Sequence, residues 1–179
     1  ASEAGLPLYE KKESQDICFV GDGSYPEFLE HRGIREEGGR FVDREGNFLG
    51  NHKGILHYTI GQRKGLGIAS RTPLYVVAID AGKNEVVLGP TDGTFSPGAS
   101  VSGATFVAGA PPAERFNASA RIRYRHPAAP CSVSVAGKRL EVRFDEPQRS
   151  VTPGQALVLY DGDEVLGGGW IECAEALRS

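Results

Sequence analysis

No methionine occurs anywhere in this chain, not even at position 1, so the expectation is a piece excised from a longer protein. Cysteine is nearly absent too. The three present, Cys18, Cys131 and Cys173, are odd in number and widely spaced, with no Cys-x-x-Cys pair and no zinc-type histidine spacing. A disulfide framework and a metal site are therefore not expected. No apolar run reaches the roughly 18 to 20 residues that a membrane helix needs. The first residues, Ala1-Ser2-Glu3-Ala4-Gly5, carry neither the basic nor the apolar segment of a secretory signal. The expectation is a cytoplasmic protein without membrane contact. Heptads, internal repeats and low-complexity tracts are missing as well. Excess positive charge is also lacking: a formal net charge of -3 argues against binding nucleic acid through a bulk field.

What is present is an ordinary globular composition, 40% hydrophobic and 24% charged. The charges are unevenly placed: residues 71–150 carry 10 Lys or Arg against 7 Asp or Glu, and residues 151–179 carry 1 against 5. Contact with a polyanion must then be local, through a stripe of cations. Ser24 ahead of Tyr25-Pro26-Glu27 predicts one short helix closed by Gly33. Brief strands and glycine turns follow. Residues 40–43 and 47–50 read as one hairpin and 74–80 and 85–89 as another. Pro90 to Gly98 reads as a seam between two small domains. Alternating strands near 99–108, 116–125, 131–136, 138–144, 156–160 and 164–173 then predict a small closed barrel, which removes exposed sheet edges. The fold class expected is mainly β: residues 1–22 as a remnant of a preceding domain, 23–92 as a β-rich central domain, and 93–179 as a C-terminal barrel.

Several residue groups could carry chemistry. Cys18 ends the apolar run Ile17-Cys18-Phe19-Val20 just before Gly21; by composition alone such a cysteine is more often a small buried hydrophobe than a nucleophile. Gly61-Gln62-Arg63-Lys64-Gly65-Leu66-Gly67 sets two cations and an amide between glycines, either a charged turn or a phosphate cradle. Arg121, Arg123 and Arg125 alternate with Ile122 and Tyr124, so in a strand all three guanidinium groups share one face. That face is either solvated or laid against nucleic acid. Thr152-Pro153-Gly154-Gln155 is a turn that presents Gln155 at the start of a strand. Cys131 and Cys173 fall in predicted barrel strands and read as packing, and Trp170, after Gly167-Gly168-Gly169, reads as core or rim packing ahead of stacking on a base.

Three separated stretches, Ser14-Gln15-Asp16-Ile17-Cys18-Phe19-Val20-Gly21, His52 through Gly67, and Val151-Thr152-Pro153-Gly154-Gln155, resemble in the same order the tRNA-specific 2-thiouridylases. The resemblance covers nearly the whole chain and implies its C-terminal portion, with a barrel like those of translation factors. It implies that Cys18 carries sulfur as a persulfide to carbon 2 of the wobble uridine in tRNAs for Lys, Glu and Gln. It further implies that ATP, bound by an N-terminal domain with a Ser-Gly-Gly-x-Asp-Ser type loop, first adenylates the uridine oxygen. A sulfur-donor relay protein would load Cys18, and a second cysteine in that N-terminal domain would complete the transfer. Arg123, Tyr124 and Gln155, with Arg121, Arg125, Gln62, Arg63 and Lys64, are the residues it assigns to tRNA, and His52, His57 and Thr59 are placed nearby. A monomer is expected. Two other readings compete: a non-catalytic RNA- or ribosome-binding barrel, in which Cys18 only packs, and an RNA methyltransferase. The latter needs a glycine-rich strand-to-helix loop for S-adenosylmethionine, which the sequence does not contain.

Overall fold

A computed structural model describes residues 37–124 and 126–175. Cys18, the helix expected after Ser24, and Arg125 lie outside the described residues. The protein is mainly β, as its sequence periodicity indicates, with ten strands and two single turns of 3-10 helix among the described residues. No helix there is long and apolar enough to cross a membrane.

The first four strands, β1 (Gly39–Val42), β2 (Phe48–His52), β3 (Tyr75–Asp80) and β4 (Glu85–Gly89), form a sheet in the order β2-β1-β4-β3. The β1–β2 hairpin closes on Asp43. Its Oδ1 accepts the Glu45 and Asn47 amides at 3.0 and 2.7 Å, and Oδ2 accepts Asn47 Nδ2 at 2.8 Å. The Asn47 side chain, with these backbone amides, holds the Asp43 carboxyl below the usual carboxylate range. Central strands β1 and β4 pair in parallel, Phe41 against Val86, which places β2 and β3 at opposite edges. The connection from Lys53 to Leu74 must then pass from one edge to the other, and it buries Tyr58 and Leu66 against Phe41, Val76, Val86 and Leu88.

The next six strands close a barrel in the order β10-β5-β8-β7-β6-β9: β5 (Phe95–Phe106), β6 (Arg115–Arg121), β7 (Ala129–Ala136), β8 (Arg139–Arg149), β9 (Ala156–Asp161) and β10 (Glu164–Ala174). The period of two sets what lies inside. In β8, Leu140, Val142 and Phe144 are buried while Arg139, Glu141 and Arg143 face out. Ala99, Val101, Ala120, Val133, Leu157, Leu159 and Ile171 complete the core from the other strands.

Three sequence expectations need correction. β5 starts at Phe95 inside the expected seam, because the tail of β8 pairs with it, Phe95 with Arg149 and Ser96 with Gln148. The ladder slips between Ser96 and Gly98, where Pro97 has no amide to give. β6 stops at Arg121 and does not reach residue 125, since the chain turns and His126 N–H bonds the Arg123 carbonyl at 3.1 Å. Cys173 is exposed and not packed. The β10–β5 register shifts between Ile171 and Cys173, so Ile171 points in and both Glu172 and Cys173 point out.

Within the unit that begins at Glu37, sheet and barrel meet closely. A Cβ on Gly61 would lie 2.0 Å from Ser150 Oγ, and the Arg149 guanidinium sits 5.0 Å from the Tyr75 ring centroid. A cavity of about 620 Å³ opens at this seam, lined by Arg44, Ile60, Val77, Thr94, Val151 and Glu175 among others.

Candidate nucleic-acid interface

Barrel topology gathers some of the sequence-selected residues at one end. β6 and β9 run antiparallel with Ser119 opposite Tyr160, Ala120 opposite Leu159 and Arg121 opposite Val158. Each step forward on β6 is a step back on β9, so the chain after Arg121 runs towards Ala156 and Gln155. In-and-out alternation survives the end of the strand: Ala120 and Ile122 are buried and Arg123 is exposed. Arg123 and Tyr124 are exposed just past the end of β6, Tyr124 to 63%. The turn before Gln155 has the type II form. Gly154 adopts φ +82° and Gln155 N–H bonds the Thr152 carbonyl at 3.3 Å. Backbone bonds from Gly154 N–H to Ile171 O at 2.8 Å and from Ile171 N–H to Gln155 O at 2.9 Å fasten this turn to β10, leaving the Gln155 side chain outside.

Arg121 is engaged differently. Its Cζ lies 5.3 Å from the centroid of Tyr160, and its Nε is buried without a hydrogen-bond partner among the described residues. The guanidinium leans along β9 towards Tyr160, so Arg121 and Arg123 are not equivalent, and the third arginine of the expected stripe, Arg125, lies outside the described residues. Trp170, read from the sequence as packing, is 60% exposed on β10 directly across from Ala156.

The loop of residues 61–67 is a built turn. Gln62 N–H bonds the Thr59 carbonyl at 2.9 Å, and Gly61 N–H and Val76 N–H exchange bonds with Val76 O and Gln62 O at 2.7 and 2.9 Å. The Gln62 side chain is used inside the loop: Oε1 accepts Thr59 N–H at 3.1 Å and Nε2 donates to the Lys64 carbonyl at 3.0 Å. Gln62 thus shapes the loop, while Arg63 and Lys64 are exposed at its tip. His52 is 5% exposed. Its ring packs edge-on against Phe41 and Tyr58 at 5.3 and 5.5 Å between centroids. Its Nδ1 accepts Gly54 N–H at 3.1 Å, which places the proton of a neutral ring on Nε2. This histidine is a core residue and offers no surface to a phosphate.

Cys131 is buried in β7, where its Sγ donates to the Ala118 carbonyl at 3.4 Å. Burial pushes its thiol up to about 11, with the Asp145 charge adding to the effect. Alkylation at pH 8 should accordingly label Cys173 and spare Cys131, and peptide mapping of native protein checks this; equal labelling of both would show that the barrel opens readily. Because the folded thiol titrates above its unfolded counterpart, its contribution to stability is complete below about pH 9 and is lost as pH rises towards 11. Among the described residues no group of three His, Cys, Asp or Glu could hold a metal ion.

Residues 26–90 match the family model described as a tRNA methyl transferase PRC-barrel domain, and residues 98–171 match an aminomethyltransferase β-barrel domain. Among curated proteins the chain is similar to the tRNA-specific 2-thiouridylase MnmA of Geobacter metallireducens, 52% identical over 176 residues, which are 97% of this chain and 48% of the relative. It is 51% identical to that of Geotalea uraniireducens, covering 97% of this chain and 47% of the relative. The corresponding protein of Carboxydothermus hydrogenoformans is 50% identical over 174 residues, 96% and 48% of the two chains. The chain spans about half the length of the curated relatives it matches. Over that half, with both β modules matched and half of the residues identical, the chain belongs to the tRNA-specific 2-thiouridylase family.

Proposed function

We propose that the protein thiolates the wobble uridine of tRNAs for Lys, Glu and Gln at carbon 2, with these residues supplying the sulfur-carrying cysteine and the surface that holds the anticodon arm. The observation that carries the reading is identity near 50% across 97% of the chain to proteins named for this reaction. Residues 1–22 would carry Cys18 next to the catalytic site, residues 23–92 would form the central module, and residues 93–179 the tRNA-holding barrel. ATP is assigned to a domain outside these residues.

The chemistry asks for a carrier of this kind. Carbon 2 of uracil is a poor electrophile until its oxygen is adenylated. A persulfide on Cys18, loaded by a sulfur-donor relay protein, ionises more readily than a thiol. Its terminal sulfur attacks carbon 2, AMP leaves with the oxygen, and the sulfur–sulfur bond breaks as a second cysteine closes a disulfide with Cys18. A monomer suffices for this scheme.

Past the end of β6, Arg123 is an exposed cation next to Tyr124, whereas Arg121 is held against Tyr160. Arg63 and Lys64 form a second exposed basic point on the central module. Replacing Arg123 by Ala should weaken tRNA binding and flatten the dependence of log affinity on log salt by about one unit, whatever the sequence of the RNA. Fluorescence anisotropy across a salt series checks this. An unchanged affinity and slope would remove this rim from the tRNA interface and favour a non-catalytic barrel with another ligand.

A further inference from the structure

We infer that Trp170 is a stacking platform for an unpaired base of the bound RNA, and that Arg123 and Gln155 flank it. The inference rests on the reading that the protein binds tRNA. Trp170 lies between Ser102 of β5 and Ala156 of β9 in one outward row of the barrel. Both neighbours are small. Two residues back, Gly168 has no side chain to cover the ring, and on the other side a Cβ on Gly103 would sit 3.6 Å from the indole Cδ1. The indole is thus seated against the Gly103 backbone while 60% of the residue is exposed. A large apolar ring left open to water beside small residues is a common mark of a contact surface.

Its surroundings select the ligand. Trp170 and Ala156 share one row, and β6, the strand on the other side of β9, ends at Arg121 opposite Val158 with the exposed Arg123 just past its end. Two strand spacings, about 10 Å, separate the lines of β10 and β6. Ala156 is the floor between them. A base thickness is about 3.4 Å, so a flat ring fits above Ala156 against the indole. Gln155, next in the chain, can offer both donor and acceptor to a base edge. The acids stand elsewhere. Asp161, Asp163 and Glu164 gather at the far end of the β9–β10 hairpin, five residues or roughly 17 Å along β9 from Ala156. Glu172, nearer to Trp170, is paired with Arg139. An open aromatic face with an exposed cation and an amide on neighbouring strands matches a nucleobase on its phosphate chain.

The chain has a single tryptophan, so its intrinsic fluorescence reads this position directly. Titrating the protein with an anticodon stem-loop RNA should quench that emission. The same strand annealed to its full complement, which leaves no base free, should quench it far less. Trp170→Phe should bind the stem-loop within about threefold of the parent, because a phenyl ring also stacks, and Trp170→Ala should bind roughly tenfold more weakly with an unchanged salt slope. Stem-loop binding with no change in emission, or Trp170→Ala binding at parental strength, overturns the inference and marks the indole as a protein contact. Failure of the parent protein to bind any tRNA overturns the proposed function itself along with it.

Discussion

Cys18→Ser in the intact protein should leave wobble-uridine thiolation at background, a loss of at least about a thousandfold, in the range seen when a covalent nucleophile is removed. A serine oxygen cannot be charged with a transferable sulfur or close a disulfide, so no slower version of the same route remains. Binding of tRNA should persist, because the cations and aromatics of the barrel rim are untouched. The 2-thiouridine content of tRNA from cells carrying only the variant, measured by mass spectrometry of nucleosides, decides the matter. Thiolation at parental levels would reduce Cys18 to a packing residue and leave the RNA-binding barrel as the better reading. Cys131 and Cys173 cannot take over in that experiment. The first is buried in the barrel with its thiol pushed up to about 11, and the second lies on an outer bulge of β10.

Phe41→Ala should cost about 3 to 5 kcal/mol, a large part of the total stability of an ordinary domain. Phe41 is fully buried in the central sheet, with ring centroids 5.3 Å from His52 and 5.1 Å from Tyr58. Among the described residues the crossing segment that carries Tyr58 is not free to fill the space, because it is tied at Gly61 and Gln62 to β3. The damage should be local, since the barrel has a core of its own formed by residues such as Val101, Leu140, Leu159 and Ile171. Amide hydrogen exchange should therefore lose protection across β1–β4 while β5–β10 keep theirs, and the loop bearing Arg63 and Lys64 should loosen with the sheet. Uniform loss of protection through both modules would mean that they fold as one unit and that the cores are not separable.

The resemblance and the local geometry were legible for different reasons. The hairpin at Asp43–Asn47 could be read in advance because a short turn is closed by its own side chains. The barrel strands could be read because alternation along β7 and β8 is a local signal. The strand expected to run to residue 125 ends at Arg121 for a specific reason: alternation is present from Ala120 to Arg123, but nothing in that run announces that the chain turns before His126. Gln62 was singled out for its place between glycines, yet its amide is consumed by Thr59 and Lys64 within the same loop. That arrangement depends on torsions that composition does not reveal. Trp170 read first as core or rim packing, with stacking on a base the lesser alternative, because a tryptophan after three glycines looks like packing. Its exposure follows from which residues happen to lie opposite it.

The sequence by itself determined the β class, the turn positions, the modest overall charge and the family, because period, glycine placement and ordered motifs are all properties of neighbours in the chain. Only the tertiary structure decided which strands meet. The parallel pairing of β1 with β4 joins residues 45 positions apart, Arg40 with Glu85, and barrel closure brings β10 to β5 from some 70 positions away, Ile171 with Val101. Those pairings, and the bulges that interrupt them, set which side of the wall each side chain occupies. They turn Cys173 outward, bury His52, and set Trp170 on the outer face across from Ala156, since an inside or outside position is defined by the partner strand and not by the residue alone.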